Sequence, residues 1–184
     1  VKIQELTAVA NELFFVLAND QDKRWLWKSD GTEAGTVQLT SPYDINPGRV
    51  TELTALDNIL LFTINHELWS SDGTSGGTQK VTDFNSHLYY PMSDPPGYSA
   101  ESPYFGITES GIVLLQVPDE TYGSEVWRTD GTAAGTRRVT DISPGPAPSN
   151  PWGFTQVGPA IFFFADDGRP GIELWGIPLS MLFR

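Results

Sequence analysis

The chain has 184 residues, 39% of them hydrophobic and 18% charged, a balance that fits one folded domain of ordinary size and excludes a disordered chain. Eleven Lys and Arg stand against 23 Asp and Glu; the net charge of -12, spread along the chain as a solvated acidic surface, repels nucleic acid and anionic lipid and attracts cations and basic partners. Cysteine is absent, which excludes a disulfide framework, a thiolate zinc site and a cysteine nucleophile, and no stretch has the length of a membrane helix.

The N-terminal Val1-Lys2-Ile3-Gln4 does not have the form of a signal peptide, and a chain whose signal had been removed would look the same. Glu5–Val9 reads as a short opening strand. Leu13–Leu17, apolar and aromatic between Asn, Asp and Gly-type breakers, reads as a buried strand. Next comes Leu26-Trp27-Lys28-Ser29-Asp30-Gly31-Thr32-Glu33-Ala34-Gly35-Thr36. Asp-Gly is a turn signal, because Gly accepts positive φ and Asp can bond its own downstream amides. A closing strand follows, with Leu39 as its apolar anchor.

The same series then returns. Glu52–Leu56 and Ile59–Ile64 precede Leu68-Trp69-Ser70-Ser71-Asp72-Gly73-Thr74-Ser75-Gly76-Gly77-Thr78, with Val81 as the anchor. Tyr104–Thr108 and Ile112–Val117 precede Val126-Trp127-Arg128-Thr129-Asp130-Gly131-Thr132-Ala133-Ala134-Gly135-Thr136, with Val139 as the anchor. Gly153–Val157 and Ile161–Phe164 precede a broken copy, Glu173-Leu174-Trp175, which departs into Gly176-Ile177-Pro178. The Trp residues are spaced by 42, 58 and 48, which brackets the period of propeller blades. Ten Phe, six Trp and six Tyr supply the core, while eighteen Gly and fourteen Pro supply the turns. The expectation is an all-β, β-propeller-like fold: one repeat domain over 1–184, with four repeats at about 1–43, 44–85, 86–143 and 144–184, each of about four short antiparallel strands. Each repeat is expected to bury its Trp against a neighbour.

On the strength of these strings the chain resembles the bacterial ELWxxDGTxxGT repeat proteins, sometimes called hyalin-like. Glu67-Leu68-Trp69-Ser70-Ser71-Asp72-Gly73-Thr74 through Gly77-Thr78 is the best match, and Asp141–Gly145 and Phe163–Gly168 look like that family's connecting segments. The resemblance covers nearly the whole chain and implies a propeller-like array on secreted, periplasmic or cell-surface bacterial proteins, with little about activity. The sequence departs from the pattern at Trp25, where the other copies have Glu67, Glu125 and Glu173, and at the last copy, which lacks Asp-Gly-Thr. Four units suit a closed four-bladed ring; a piece of a larger propeller, or an assembly completed by another chain, is the alternative.

Asp30, Asp72 and Asp130, with Gly31, Gly73 and Gly131, are equivalent by repeat. They could form a ring of carboxylates that binds a cation, but the Gly-Thr after each favours a turn-forming role. Glu67, Glu125 and Glu173 could line a channel and hold a metal, or pair with Lys or Arg on the Trp strand. The acidic tips at Asp20–Asp22, Asp119-Glu120 and Asp166-Asp167 make calcium conceivable, though none has the spacing of a dedicated calcium loop. The two histidines, His66 and His87, cannot make a three-His zinc site, and no nucleophile-elbow string occurs.

The segment Phe84–Pro103 lengthens one repeat and carries Tyr89, Tyr90, Met92 and Tyr98, which suit contact with a protein or a glycan; the alternative is a loop folded back on its own blade. The expected function is a non-catalytic binding or assembly module, without catalytic residues, resident metal or cofactor, whose partner is a protein subunit of a larger complex or a surface glycan. The alternatives are a polysaccharide hydrolase using channel-facing carboxylates and a structural repeat of a longer surface protein.

Overall fold

The computed structural model describes residues 1–21, 23–40, 50–64, 67–84, 104–109 (backbone alone) and 111–183. They are all-β apart from one short helix, and they form four small antiparallel sheets. The first sheet contains β1 (Lys2–Val9), β2 (Glu12–Ala18), β3 (Arg24–Ser29) and β4 (Val37–Gln38). The second contains β5 (Val50–Leu56), β6 (Ile59–Ile64), β7 (Glu67–Ser71) and β8 (Gln79–Asp83). The third contains β9 (Tyr104–Glu109), β10 (Ile112–Asp119), β11 (Gly123–Thr129) and β12 (Arg137–Arg138). The fourth contains β13 (Trp152–Val157), β14 (Ala160–Ala165) and β15 (Glu173–Pro178). In every sheet the strands lie in chain order, the meander that short connections favour.

The fourth sheet has three strands where the sequence pattern suggests about four. Without an Asp-Gly-Thr turn to send it back, the chain leaves β15 into α1 (Leu179–Leu182). Leu182 is buried, the Leu179 amide donates to the Pro159 carbonyl at 2.8 Å, and the Arg128 guanidinium donates to the Leu182 carbonyl. The helix is thereby tied to the residue before β14 and to β11 of the third sheet.

The chain divides into two compact units, Val1–Asp83 and Phe84–Arg184, each containing two sheets. Strand alternation gives each sheet two faces. On one lies the residue before the motif Trp, paired across the ladder as Val16 with Leu26 and Phe164 with Leu174. On the other lies the Trp, paired with Phe15, Phe62, Leu115 and Phe163 in turn. These are the leucine face and the tryptophan face. In the first unit, Phe14, Val16 and Leu26 of one leucine face pack into a core with Leu60, Phe62, Ile64 and Trp69 of the next tryptophan face. In the second unit, Ile112, Leu114 and Val126 pack in the same sense with Ile161, Phe163, Ile177 and Trp175. Thus a leucine face meets the tryptophan face of the following sheet in both units.

The expectation that Trp is the buried anchor needs correction. Trp27, Trp69, Trp127 and Trp175 are half-buried, whereas Leu26, Leu68 and Val126 before them are fully buried. The indole is too large and too polar at Nε1 to be enclosed by one neighbouring sheet, so Trp69 and Trp175 cover the edges of the two cores while Leu26 and Val126 fill their interiors.

Every opening strand also has a register shift where an extra residue stands against its partner: between Gln4 and Leu6, between Thr51 and Thr54, opposite Val113–Leu115, and between Trp152 and Thr155. Glu5, Glu52 and Gly153 take positive φ there. Such bulges raise local twist. In the first unit, Glu5 Oε2 also accepts from the Leu53 amide at 3.0 Å, and Thr7 Oγ1 donates to the Leu53 carbonyl at 3.1 Å, tying β1 to β5.

Candidate functional site

The three complete motifs fold into one repeated hydrogen-bonded turn. In the second copy, Asp72 Oδ1 accepts from the Thr74 amide at 2.8 Å and from Thr74 Oγ1 at 2.7 Å. Thr74 Oγ1 accepts in turn from the Gly77 amide at 2.9 Å, and the Thr74 carbonyl accepts from Thr78 Oγ1 at 2.7 Å. Ser71 Oγ accepts from the Gly73 amide at 3.1 Å and shares a hydrogen bond with Thr78 Oγ1. The same partners recur around Asp30 and Asp130, with Ser29 and Thr129 in the place of Ser71.

Both glycines of the string are explained. Gly31, Gly73 and Gly131 have φ of +92°, +86° and +85°, a region that L side chains rarely enter. A Cβ at Gly35, Gly77 or Gly135 would lie 2.0 Å from the Oδ1 of Asp30, Asp72 or Asp130. Side-chain and backbone hydrogen bonds from Thr32 and Thr74 hold the Asp30 and Asp72 carboxyls below their ordinary value. At Asp130, burial pushes upward, but the bonds from Thr132 and the nearby Arg128 charge outweigh it and the shift is also downward. These carboxylates are therefore acceptors for their own turns. Each belongs to a separate hairpin tip.

The Glu position two residues before the Trp is used in three ways. Glu67 pairs with Lys80 at 2.9 Å and accepts from Trp69 Nε1 at 3.0 Å. Its partner lies on the closing strand β8, not on the Trp strand as the sequence suggests. Glu125 is fully buried and accepts from Thr140 Oγ1 at 2.7 Å and from the Ile142 and Ser143 amides at 3.0 and 3.1 Å. It anchors the connection into the fourth sheet. Glu173 Oε2 and Trp175 Nε1 are buried atoms without a hydrogen-bond partner among the described residues. The acidic tips form local turns as well: Asp119 accepts from the Thr121 and Tyr122 amides, Asp166 from the Gly168 amide and Asp167 from the Arg169 amide. Among the described residues, no three His, Asp or Glu gather in a way that could hold a metal ion.

Tyr89, Tyr90, Met92 and Tyr98 lie outside the described residues, as do His66 and His87. What the sequence reading misses is a pair of exposed apolar sheet faces. β2 and β14 alternate between buried and accessible residues, whereas β6 and β10 are buried almost throughout. On the tryptophan face of the first sheet, Leu13 is 40% exposed and Phe15 stacks on the half-buried Trp27 with centroids 6.5 Å apart. On the leucine face of the fourth sheet, Leu174 is 64% exposed, and Trp152 and Phe164 lie together at 4.7 Å, both partly open to solvent. The available signal was the set of departures from the repeat: Trp25 in place of Glu, and Gly176 in place of Lys28, Ser70 and Arg128.

No protein-family model matches the chain, and no curated protein matches its sequence. Among solved structures, it is similar to a crystal structure of a puromycin hydrolase mutant complexed with PGG, with a TM-score of 0.60 and 11% sequence identity. The match covers 97% of this chain and 27% of that one. At this identity the likeness is one of fold.

Proposed function

We propose that the chain is a non-catalytic, β-propeller-type binding or assembly module of a secreted, periplasmic or cell-surface bacterial protein, with its four sheets as blades. The observation that carries this reading is the internal use of the repeat's polar groups. The three motif aspartates serve their own turns, and Glu67 and Glu125 serve an ion pair and a connecting segment. Such groups build a rigid scaffold, and the exposed apolar faces are its natural contact surfaces. The meander topology and the leucine-face-to-tryptophan-face stacking within each unit support the propeller reading. The partner is a protein subunit or a surface glycan, and the reading assigns no cofactor.

A pull-down from a bacterial envelope fraction tests this, comparing the wild-type chain with Tyr89→Ala/Tyr90→Ala. The expected result is a specific protein or glycan captured by the wild type and lost in the double variant. Turnover of a polysaccharide by the purified chain would overturn the non-catalytic reading in favour of the hydrolase.

A further inference from the structure

We infer that the side chain immediately before each Asp-Gly pair guards that pair against rearrangement to isoaspartate, by engaging the Gly amide nitrogen that would attack the Asp carboxyl. This goes beyond the binding or assembly reading and does not depend on it. The chain has four Asp-Gly bonds, Asp30-Gly31, Asp72-Gly73, Asp130-Gly131 and Asp167-Gly168. The three motif aspartates are exposed to water. An Asp-Gly bond is prone to the rearrangement because Gly has no Cβ to hinder its own amide nitrogen. That nitrogen attacks Asp Cγ, a C–N bond forms, and the carboxyl hydroxyl leaves with the amide proton as water. Water then reopens the succinimide ring. Opening at the side-chain carbonyl restores Asp. Opening at the main-chain carbonyl routes the backbone through the former side chain, and the motif turn loses the side-chain carboxylate on which it is built.

At all four bonds the Gly amide donates to a side-chain oxygen two residues earlier. Gly31, Gly73 and Gly131 donate to Ser29 Oγ, Ser71 Oγ and Thr129 Oγ1 at 3.0, 3.1 and 3.1 Å. Gly168, outside the motif, donates to Asp166 Oδ1 at 2.8 Å. The carboxyl is anchored separately. Asp30, Asp72 and Asp130 accept from the amide and hydroxyl of Thr32, Thr74 and Thr132, and Asp167 accepts from the Arg169 amide. Nucleophile and electrophile are each engaged elsewhere, and each must give up a hydrogen bond before they meet. The acceptor is Ser, Thr or Asp, and one case lies outside the motif, so the recurrence follows the Asp-Gly bond and not the repeat. The carboxylate anchors act in the same direction. The ring closes from a protonated carboxyl, since an ionised one has no hydroxyl to lose, and the bonds from Thr32 and Thr74 that hold the Asp30 and Asp72 carboxyls low keep that form scarce.

The test ages the purified full chain in heavy-oxygen water at neutral pH, well below its melting temperature. Each passage through the succinimide takes up a solvent oxygen, so peptide mass spectrometry reads the event at each Asp-Gly bond separately. Ser29→Ala frees the Gly31 amide, whereas Ser29→Thr keeps an acceptor there, as Thr129 does in the third repeat. Thr36→Val removes the hydroxyl that bonds Ser29 Oγ and the Thr32 carbonyl, which loosens the turn but leaves the acceptor of the Gly31 amide in place. Circular dichroism and thermal melting verify that the variants fold. Ser29→Ala should raise the rate at Asp30 at least about threefold, as removal of a hydrogen bond of ordinary net strength from the barrier predicts. Asp72 and Asp130 serve as unchanged internal references. Ser29→Thr and Thr36→Val should keep the wild-type rate. A wild-type rate at Asp30 in Ser29→Ala overturns the inference. So does an equal acceleration in Thr36→Val, because the effect would then follow the loosened turn. Asp166→Ala frees the Gly168 amide outside the motif and repeats the test at Asp167, with acceleration supporting the inference and a wild-type rate overturning it.

Discussion

The carboxylate of Asp72 fills the space that a side chain at Gly77 would need, with Oδ1 2.0 Å from the ideal Cβ position. The pair explains why the motif carries Gly five residues after Asp: the Thr between them can bridge the two only if the chain folds tightly onto the carboxylate. Gly77→Ala should therefore destabilise the protein by about 1–3 kcal/mol, the usual cost of forcing an atom into filled space. Gly76, one residue earlier, has open space at its Cβ, so Gly76→Ala should stay within about 0.5 kcal/mol of the wild type. Urea denaturation of the two variants side by side checks the contrast.

The acid limb of stability should report the same turns. Asp30 and Asp72 titrate lower when folded than their ordinary value of 3.8, so the unfolded chain binds protons more readily than the folded one. Their contribution is fully present above the unfolded value and is lost as pH falls through 3.8 towards the folded values. The melting temperature of the wild type should drop across this window, and Asp30→Asn/Asp72→Asn should flatten that drop while lowering the neutral-pH melting temperature. An unchanged acid slope in the double variant would count against the turn-capping role.

Glu125 makes a third prediction. Replacing it by Ala leaves the Ile142 and Ser143 amides and the Thr140 hydroxyl without their acceptor beside a fully buried site. Each buried donor left unpaired costs about 1–3 kcal/mol, so Glu125→Ala should be among the most damaging single changes. Glu67→Ala removes a partly exposed ion pair with Lys80 and should cost about 1 kcal/mol or less. Chemical denaturation midpoints rank the two.

The core prediction separates neighbours in the motif. Leu68 is fully buried, and Leu68→Ala should cost about 2–5 kcal/mol. Trp69 is half-buried at the edge of the same core, so Trp69→Ala should fall below the roughly 3–5 kcal/mol expected of an enclosed Trp. Denaturant titrations with unchanged slope would make the comparison valid.

Much of the local architecture was legible because each repeat announces itself. The opening strands, the apolar second strands and the Trp strands lie where alternation and the Asp-Gly breaks place them, since a two-residue period and a turn requiring positive φ are properties of short segments. The bulges at Glu5 and Glu52 were not legible: nothing in a Glu announces φ of 48° or 59°, and the extra residue is defined only against a partner strand. The partner of Glu67 was also hidden, because Lys80 arrives from the closing strand across the sheet. Tyr89, Tyr90, Met92 and Tyr98 stand on sequence alone.

The sequence by itself determined that this chain is built from repeated short strands and turns, because the turn chemistry of Asp, Gly and Thr acts over a few residues and needs no distant partner. Only the tertiary structure decided which face of each strand is enclosed. Leu26, Val126 and Leu174 occupy one position in copies of the same pattern, yet the first two are sealed in the cores of their units and Leu174 is 64% exposed. Burial depends on whether another sheet lies against that face, and the pattern within a single repeat does not contain that information.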